Sequence, residues 1–199
     1  MLGRDAVAVK PIASGLEHGI NEDLAELASA ADHVLLPEDL NCYCFEPAIA
    51  PHRAAELAQA RIEIAPIFDA WQRVAAQHGD VLVEGVGGVS VPLGPALMLA
   101  DLAQALSLPL ILVVGIRLGC INHALLSALA IRSAGLNLHG WVANLLDPAM
   151  REPEASIGAI EQRIKAPLLG RLEFNADAGS FGRLALALIE SSGNRAAAP

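Results

Sequence analysis

Val81-Leu82-Val83-Glu84-Gly85-Val86-Gly87-Gly88 is the stretch that decides the fold. Three large apolar residues in a row suit a strand buried on both faces of a parallel sheet. A carboxylate ending such a strand is costly to bury unless a metal or a cation meets it. Glycines after it permit a tight turn. In parallel α/β sheets, ligands sit outside the carboxyl ends of the strands. A second apolar run, Ala6-Val7-Ala8-Val9, leads into Lys10-Pro11-Ile12-Ala13-Ser14-Gly15. It puts a lysine and then a hydroxyl at another such end, with Pro11 holding its neighbour extended. One cationic end and one acidic end with a glycine turn predict a phosphate and Mg²⁺ site. The bland alternatives are a surface lysine and an exposed strand end whose glycines merely turn. The loop expected to cradle phosphates beside them, Gly-x-x-x-x-Gly-Lys-Ser/Thr, occurs nowhere in the 199 residues.

Outward from these two ends, strands alternate with helices, the signature of βαβ units. Strands are expected at residues 7–9, 80–84, 110–114, 138–145 and 167–172. Helices are expected at 22–31, 52–58, 67–78 (closed by Gly79), 96–106, 123–134 (capped by Gly135), 154–164 and 181–191. Residues 37–51, with prolines at 37, 47 and 51, read as irregular. The prediction is a single α/β domain over residues 1–191 with a flexible tail at 192–199, since no repeat or linker marks a second domain.

Composition supports this class. The chain is 54% hydrophobic, 4% aromatic and only 18% charged, which fits a sheet between helices better than a β-sandwich. A formal net charge of −9 argues against nucleic acid as the main partner, because phosphate backbones need clustered Lys and Arg. A small anion held by a local cation remains compatible. Met1 is followed by Gly3, Arg4 and Asp5 without an apolar signal segment, and residues 102–116 are too short and interrupted to span a bilayer. Three cysteines, Cys42, Cys44 and Cys120, form no disulfide framework, and His33 and His52 do not stand at zinc-ligand spacing from Cys42 and Cys44. A cytoplasmic protein without membrane or nucleic-acid partners is expected.

Three further places carry chemistry. Asp23 could cap the helix beginning beside it or supply a second oxygen to Mg²⁺. Arg117-Leu118-Gly119-Cys120-Ile121-Asn122-His123 joins strand to helix. Its amides suit a carboxylate or phosphate, and it equally reads as a plain turn with Asn122 as N-cap. Asn144, near a strand end, could read a base edge or form a turn.

Together these segments closely resemble the dethiobiotin synthetase family, ATP-dependent enzymes that close the ureido ring in biotin synthesis. The matching stretches are KPIASG at 10–15, NED at 21–23, EPAIAPH at 46–52, VLVEGVGG at 81–88, PLILVVGIRLGCINHALL at 109–126, GWVAN at 140–144 and APLLG at 166–170. They follow the family's order and cover almost the whole chain. The LGCINHALL run sets this family apart from other P-loop ligases and from partition-type ATPases.

The resemblance implies a P-loop-type three-layer sandwich with a central, mostly parallel sheet, and a homodimer. It implies a reaction in which 7,8-diaminononanoate (7,8-diaminopelargonate), CO₂ and ATP give dethiobiotin, ADP and phosphate. A carbamate forms first and then a mixed carbamic–phosphoric anhydride, which the second amine closes into the ring. Lys10 resembles the family's catalytic lysine and Ser14 its substrate-contacting hydroxyl. Asp23 and Glu84 look like the Mg²⁺ carboxylates. Glu84, Gly85, Val86 and Gly87 resemble the turn against the nucleotide phosphates, and Asn144 the amide that reads adenine. Further nucleotide contacts would fall at Glu173, Phe174 and Asn175, although Glu173 stands where a proline is common. Gly119, Cys120, Ile121 and Asn122 look like the turn that holds the substrate's carboxylate tail from the neighbouring subunit.

The family also begins with a strand, a P-loop and a helix, and roughly thirty residues of that kind would precede Met1. Leu2-Gly3 then reads as the last turn of that helix. Without those residues the chain is expected to lack several phosphate contacts and an interior strand, and to turn over little or not at all by itself. The competing expectation is a non-catalytic remnant that dimerises or binds substrate without turnover.

Overall fold

The computed structural model describes residues 6–31 and 33–176. The described residues up to Ser107 form one compact unit and those from Leu108 onward another.

The first unit opens with strand β1 (Ala6–Val9) and β2 (Ile12–Ser14), then helix α1 (Glu22–Ala30). Asn21 caps α1, its Oδ1 accepting from the Leu24 N–H at 3.1 Å, and Glu22 and Asp23 in the first turn complement the helix dipole. Next come α2 (Pro37–Leu40), β3 (Tyr43–Phe45), α3 (Pro51–Leu57) and α4 (Ile64–Ala75). After them run β4 (Asp80–Val83), the antiparallel pair β5 (Pro92–Gly94) and β6 (Leu97–Met98), and α5 (Leu99–Leu106). β1 pairs in parallel with β4, and β2 in parallel with β3. Ile67, Ala70 and Val74 give α4 its buried stripe at helical spacing, and Val74 packs with Val7 and Val9.

Between β1 and β2 the chain changes partners. The Val9 carbonyl accepts from the Glu84 N–H at 2.8 Å, still on the β4 side. One residue later the Lys10 N–H turns to the Leu40 carbonyl at 2.9 Å. Pro11 has no N–H to place, and its carbonyl accepts from Cys42 and Tyr43, at 3.0 and 2.9 Å.

The second unit is a three-stranded parallel sheet in the order β7 (Leu110–Ile116), β8 (Leu138–Leu145), β9 (Leu168–Leu172). Helices α6 (Cys120–Ser133) and α7 (Pro153–Ile164) connect the strands. Trp141 and Ala143 of β8 and Val114 and Ile116 of β7 form a core with Ala124 and Ala128 of α6 and Ile157, Ile160 and Ile164 of α7. Continuous apolar strands and helices with one apolar stripe make this an α/β protein with parallel pairing, as the sequence predicts. Among the described residues no helix is long and apolar enough to cross a membrane.

Several boundaries differ from expectation. The segment expected to be irregular holds α2 and β3, because Pro37 and Pro51 begin helices rather than interrupt them. α4 starts at Ile64 and ends at Ala75, with Ala76 as its C-cap, so Gly79 does not close it. α5 starts at Leu99, where the Asp101 carboxylate accepts from the Met98 N–H at 2.7 Å. α6 begins at Cys120 with Gly119 as N-cap, at φ +93°, so Asn122 lies in the first turn and is not the cap. Asp23 likewise is not the cap of α1. β7 runs on to Ile116, whereas β8 has the expected bounds, with Asn144 near its end. The helix expected at 181–191 and the tail at 192–199 lie outside the described residues.

Candidate active site

Register alone brings Lys10 and Glu84 together. Val9 faces Val83 across the β1–β4 pair, so the next residue on each strand lies beside the other at the carboxyl ends. Lys10 Nζ donates to Glu84 Oε1 at 2.6 Å and to Asp23 Oδ2, from the first turn of α1, at 2.5 Å. The lysine side chain is 7% exposed, whereas Asp23 and Glu84 are 55% and 43% exposed. The cation is therefore enclosed and its two carboxylates face water. Burial pulls the Lys10 pKa down, but the hydrogen bonds and charges of Asp23 and Glu84 outweigh it and hold the ammonium above its ordinary value. Lys10 stays protonated at neutral pH. It can supply positive charge but cannot serve as a base.

Asn21 fixes where Asp23 sits. It is 7% exposed, and besides capping α1 its Nδ2 donates to the Gly15 carbonyl at 2.7 Å. That bond ties the helix carrying Asp23 to the segment just after Ser14. Asn21 went unassigned in the sequence, although an Asn directly before two acidic residues and an apolar-periodic run is an N-cap signal.

Ser14 lines an open cleft of about 380 Å³ with Ala48, Ile49, Ala50, Pro51, Val86, Gly87 and Val91. Its Oγ donates to the Ile49 carbonyl at 3.0 Å, which leaves the hydroxyl lone pairs to accept from an amine or hydroxyl in the cleft. Gly87 turns the chain at φ +70°, and a Cβ there would meet Val91 Cγ2 at 2.8 Å. Gly85 packs closely too, with Leu99 Cδ2 3.0 Å from where its Cβ would be. Glu84, Gly85, Val86 and Gly87 thus run from the ion pair to the cleft wall in four residues.

The donor set suits Mg²⁺. Lys10 engages one oxygen each of Asp23 and Glu84; the second oxygens accept no hydrogen bond among the described residues. Two such carboxylates match the one or two that Mg²⁺ takes alongside phosphate oxygens. No cluster of three or more His, Cys, Asp or Glu able to hold a metal exists among the described residues. A metal here would depend on substrate oxygens and water for its remaining ligands.

The other predicted residues belong to the second unit. Asn144 of β8 pairs in register with Leu172, so Glu173, Phe174 and Asn175 follow β9 directly beside it, at the carboxyl ends of neighbouring parallel strands. Arg171 donates to Glu154 and pairs with Glu173 at 2.7 Å, which ties this segment to the first turn of α7. Gly119, Cys120, Ile121 and Asn122 line a separate pocket of about 430 Å³ with Arg117, Leu118, Leu125, Met150 and Ser156. The Cys120 N–H is engaged by the Arg117 carbonyl at 3.0 Å, whereas Ile121 and Asn122 make no backbone N–H bond among the described residues. Those two amides, with Arg117, are the groups able to meet a carboxylate.

A buried cation meets Glu84 at a parallel strand end, followed by a glycine turn, and Asp23 at a helix start, within an α/β protein of parallel strands. The family model described as AAA domain matches residues 1–180. The chain is 48% identical over 172 residues to the ATP-dependent dethiobiotin synthetase BioD of Aromatoleum aromaticum, covering 84% of this chain and 76% of that protein. It is 48% identical to the enzyme of the same name from Pseudomonas paraeruginosa, over 89% of this chain and 80% of the relative. For that of Nitrosospira multiformis the identity is 44%, over 92% and 81%. The chain belongs to the ATP-dependent dethiobiotin synthetase family.

Proposed function

We propose that this protein closes the ureido ring of dethiobiotin from 7,8-diaminononanoate, CO₂ and ATP, in the cytoplasm and as a homodimer. The observation that carries this reading is the Lys10 ammonium enclosed between Asp23 and Glu84 beside the Ser14 cleft. An amine of the substrate takes up CO₂ as a carbamate, whose oxygen attacks the γ-phosphorus of ATP and releases ADP. The second amine then attacks the carbamic–phosphoric anhydride, closes the ring and expels phosphate. Both steps move negative charge onto oxygen, and a fixed buried cation stabilises that charge without reorganising.

Lys10 faces the carbamate and the transferring phosphoryl group. Ser14, its proton committed to Ile49, accepts from a substrate amine. Asp23 and Glu84 hold Mg²⁺, which neutralises phosphate charge when bound. In the first unit, Glu84, Gly85, Val86 and Gly87 line nucleotide phosphates. In the second unit, taken by itself, Asn144 with Glu173, Phe174 and Asn175 offers an amide and neighbouring strand end suited to a nucleotide base. The turn of Gly119, Cys120, Ile121 and Asn122 takes the carboxylate tail of substrate held in the neighbouring subunit. Exposed Leu118, Leu126 and Leu129 on and before α6 supply apolar surface for that contact.

The test is direct. With diaminononanoate, bicarbonate and MgATP, the protein is expected to form dethiobiotin and phosphate in equal amounts, in place of the little or no turnover that the sequence alone led one to expect, and Lys10→Gln to lower both by roughly 100-fold or more. Phosphate release without dethiobiotin, or full activity in the Lys10→Gln protein, overturns the proposal.

A further inference from the structure

Lys10 is held by its backbone as well as by its carboxylates. Its carbonyl sits where the chain leaves β4 for β3, outside either ladder, and the group that meets it is a side chain. Asn41 Nδ2 donates to the Lys10 carbonyl at 2.6 Å and to the Tyr43 carbonyl at 3.2 Å. Both partners are carbonyls, so the amide orientation follows from the network: the nitrogen must face them. Asn41 is itself fixed as the C-cap of α2, its N–H on the Pro37 carbonyl at 3.0 Å. The preceding turn is fastened from the other side. Arg73 of α4 donates through Nε and Nη2 to Asp39 Oδ1, at 2.9 and 2.7 Å, and the Asp39 side chain is 8% exposed. With the Lys10 N–H on Leu40, both backbone groups of Lys10 end on the same short segment, residues 40–41.

We propose that Asn41 is a positioning residue for Lys10: through the Lys10 carbonyl it fixes the point from which the side chain reaches between Asp23 and Glu84. The inference rests on the catalytic reading of Lys10 given above. A backbone released at residue 10 keeps the charge but loses its placement. Loss of placement lowers the rate of phosphoryl transfer more than it weakens binding of ATP or diamine, which are held by other groups.

The experiment compares the parent protein with Asn41→Asp, which keeps the shape but has no donor, Asn41→Ser, which shortens the side chain, and Lys10→Gln. The readouts are kcat and KM for ATP and diaminononanoate, with a thermal melt of each variant. Both Asn41 variants are expected to lose about 10-fold or more in kcat, a fraction of what a 1 Å misplacement can cost. Their KM values should stay within about 3-fold and the folded fraction at the assay temperature should remain near complete. Either folded variant with kcat within about 2-fold of the parent, or a rate loss that merely tracks the unfolded fraction, overturns the role of Asn41. If Lys10→Gln is itself as active as the parent, the reading of Lys10 fails instead, and the two failures are told apart in one set of assays.

Discussion

Lys10 and Glu84 are neighbours because β1 and β4 are in register. Val9 pairs with Val83, the Glu84 N–H donates to the Val9 carbonyl at 2.8 Å, and the two side chains meet at 2.6 Å. Residues 74 positions apart thus form an ion pair fixed by a parallel ladder rather than by loop geometry. Substituting Lys10 by Gln is expected to lower kcat by roughly 100- to 1000-fold, the usual loss when one preorganised charge partner is removed. The fold should survive, because the two carboxylates left behind are about half exposed and water screens them. Steady-state kinetics with a far-UV melt measures both.

The same ion pair gives alkaline stability a definite sign. The folded protein binds the Lys10 proton more tightly than the unfolded chain does, since Asp23 and Glu84 outweigh burial. The stabilisation is therefore complete below the ordinary lysine pKa of about 10.4 and is lost as pH rises through the higher folded value. Melting temperatures of the parent and Lys10→Met should differ by a constant amount from neutral pH upward, and the gap should close only above about pH 10.4. A gap that widens as pH rises would reverse the sign.

Asp23→Asn and Glu84→Gln should each weaken the response to Mg²⁺ by at least the roughly 10- to 100-fold typical of losing an outer partner of a metal site. Calorimetric titration of Mn²⁺ into protein with a non-hydrolysable nucleotide reads this without turnover. Unchanged affinity in both variants would remove these carboxylates from the metal.

Gly87 and Gly88 make a paired test of the cleft wall. Gly87→Ala forces φ +70° on a residue with a Cβ and drives that carbon into Val91 at 2.8 Å. It is expected to cost about 1–2 kcal/mol from strain and overlap together. Gly88→Ala meets nothing within 4 Å and should be close to neutral. Urea unfolding of both variants measures the difference, and equal stabilities would refute the turn geometry.

Asn21→Ala strips the cap from α1 and leaves the Gly15 carbonyl without its donor. A loss of about 1–3 kcal/mol is expected, one cap plus one orphaned carbonyl partly offset by water. The same urea experiment reads it, and a loss well below that of a single cap would mean that Asn21 does not tie α1 down.

Much of this was legible in the chain. Val81-Leu82-Val83 and Leu110-Ile111-Leu112-Val113-Val114 are continuous apolar runs bounded by Gly, Pro or charge, and they fold as parallel strands. The carboxyl ends of Ala6-Val7-Ala8-Val9 and Val81-Leu82-Val83 single out Lys10 and Glu84 as candidates, and Asp23 stands out as an acidic residue at a helix start. The sequence left Glu84 either buried against a metal or cation or exposed at a strand end; its side chain is 43% exposed and pairs with Lys10. Less visible was anything set by partners far along the chain. β2 and β3 have three residues each, too few for a periodic signal, and exist because they pair with one another. Prolines that looked like breaks at 37 and 51 instead begin helices, where a missing N–H costs nothing. Asn41 carried no local signal, since its partner is the carbonyl of a residue 31 positions earlier.

Pro11 has a further consequence. A non-proline residue at the partner change between β1 and β2 would bring an amide hydrogen needing its own acceptor in a buried place. With proline the crossing leaves no such demand, and its ring narrows the torsions open to the chain on either side. The ammonium of Lys10 is thus carried on a backbone whose torsions are narrowed by the covalent chain itself. On the proposed reading of Lys10, a substrate would meet a charge already in place, and little of its binding energy would go into ordering the protein.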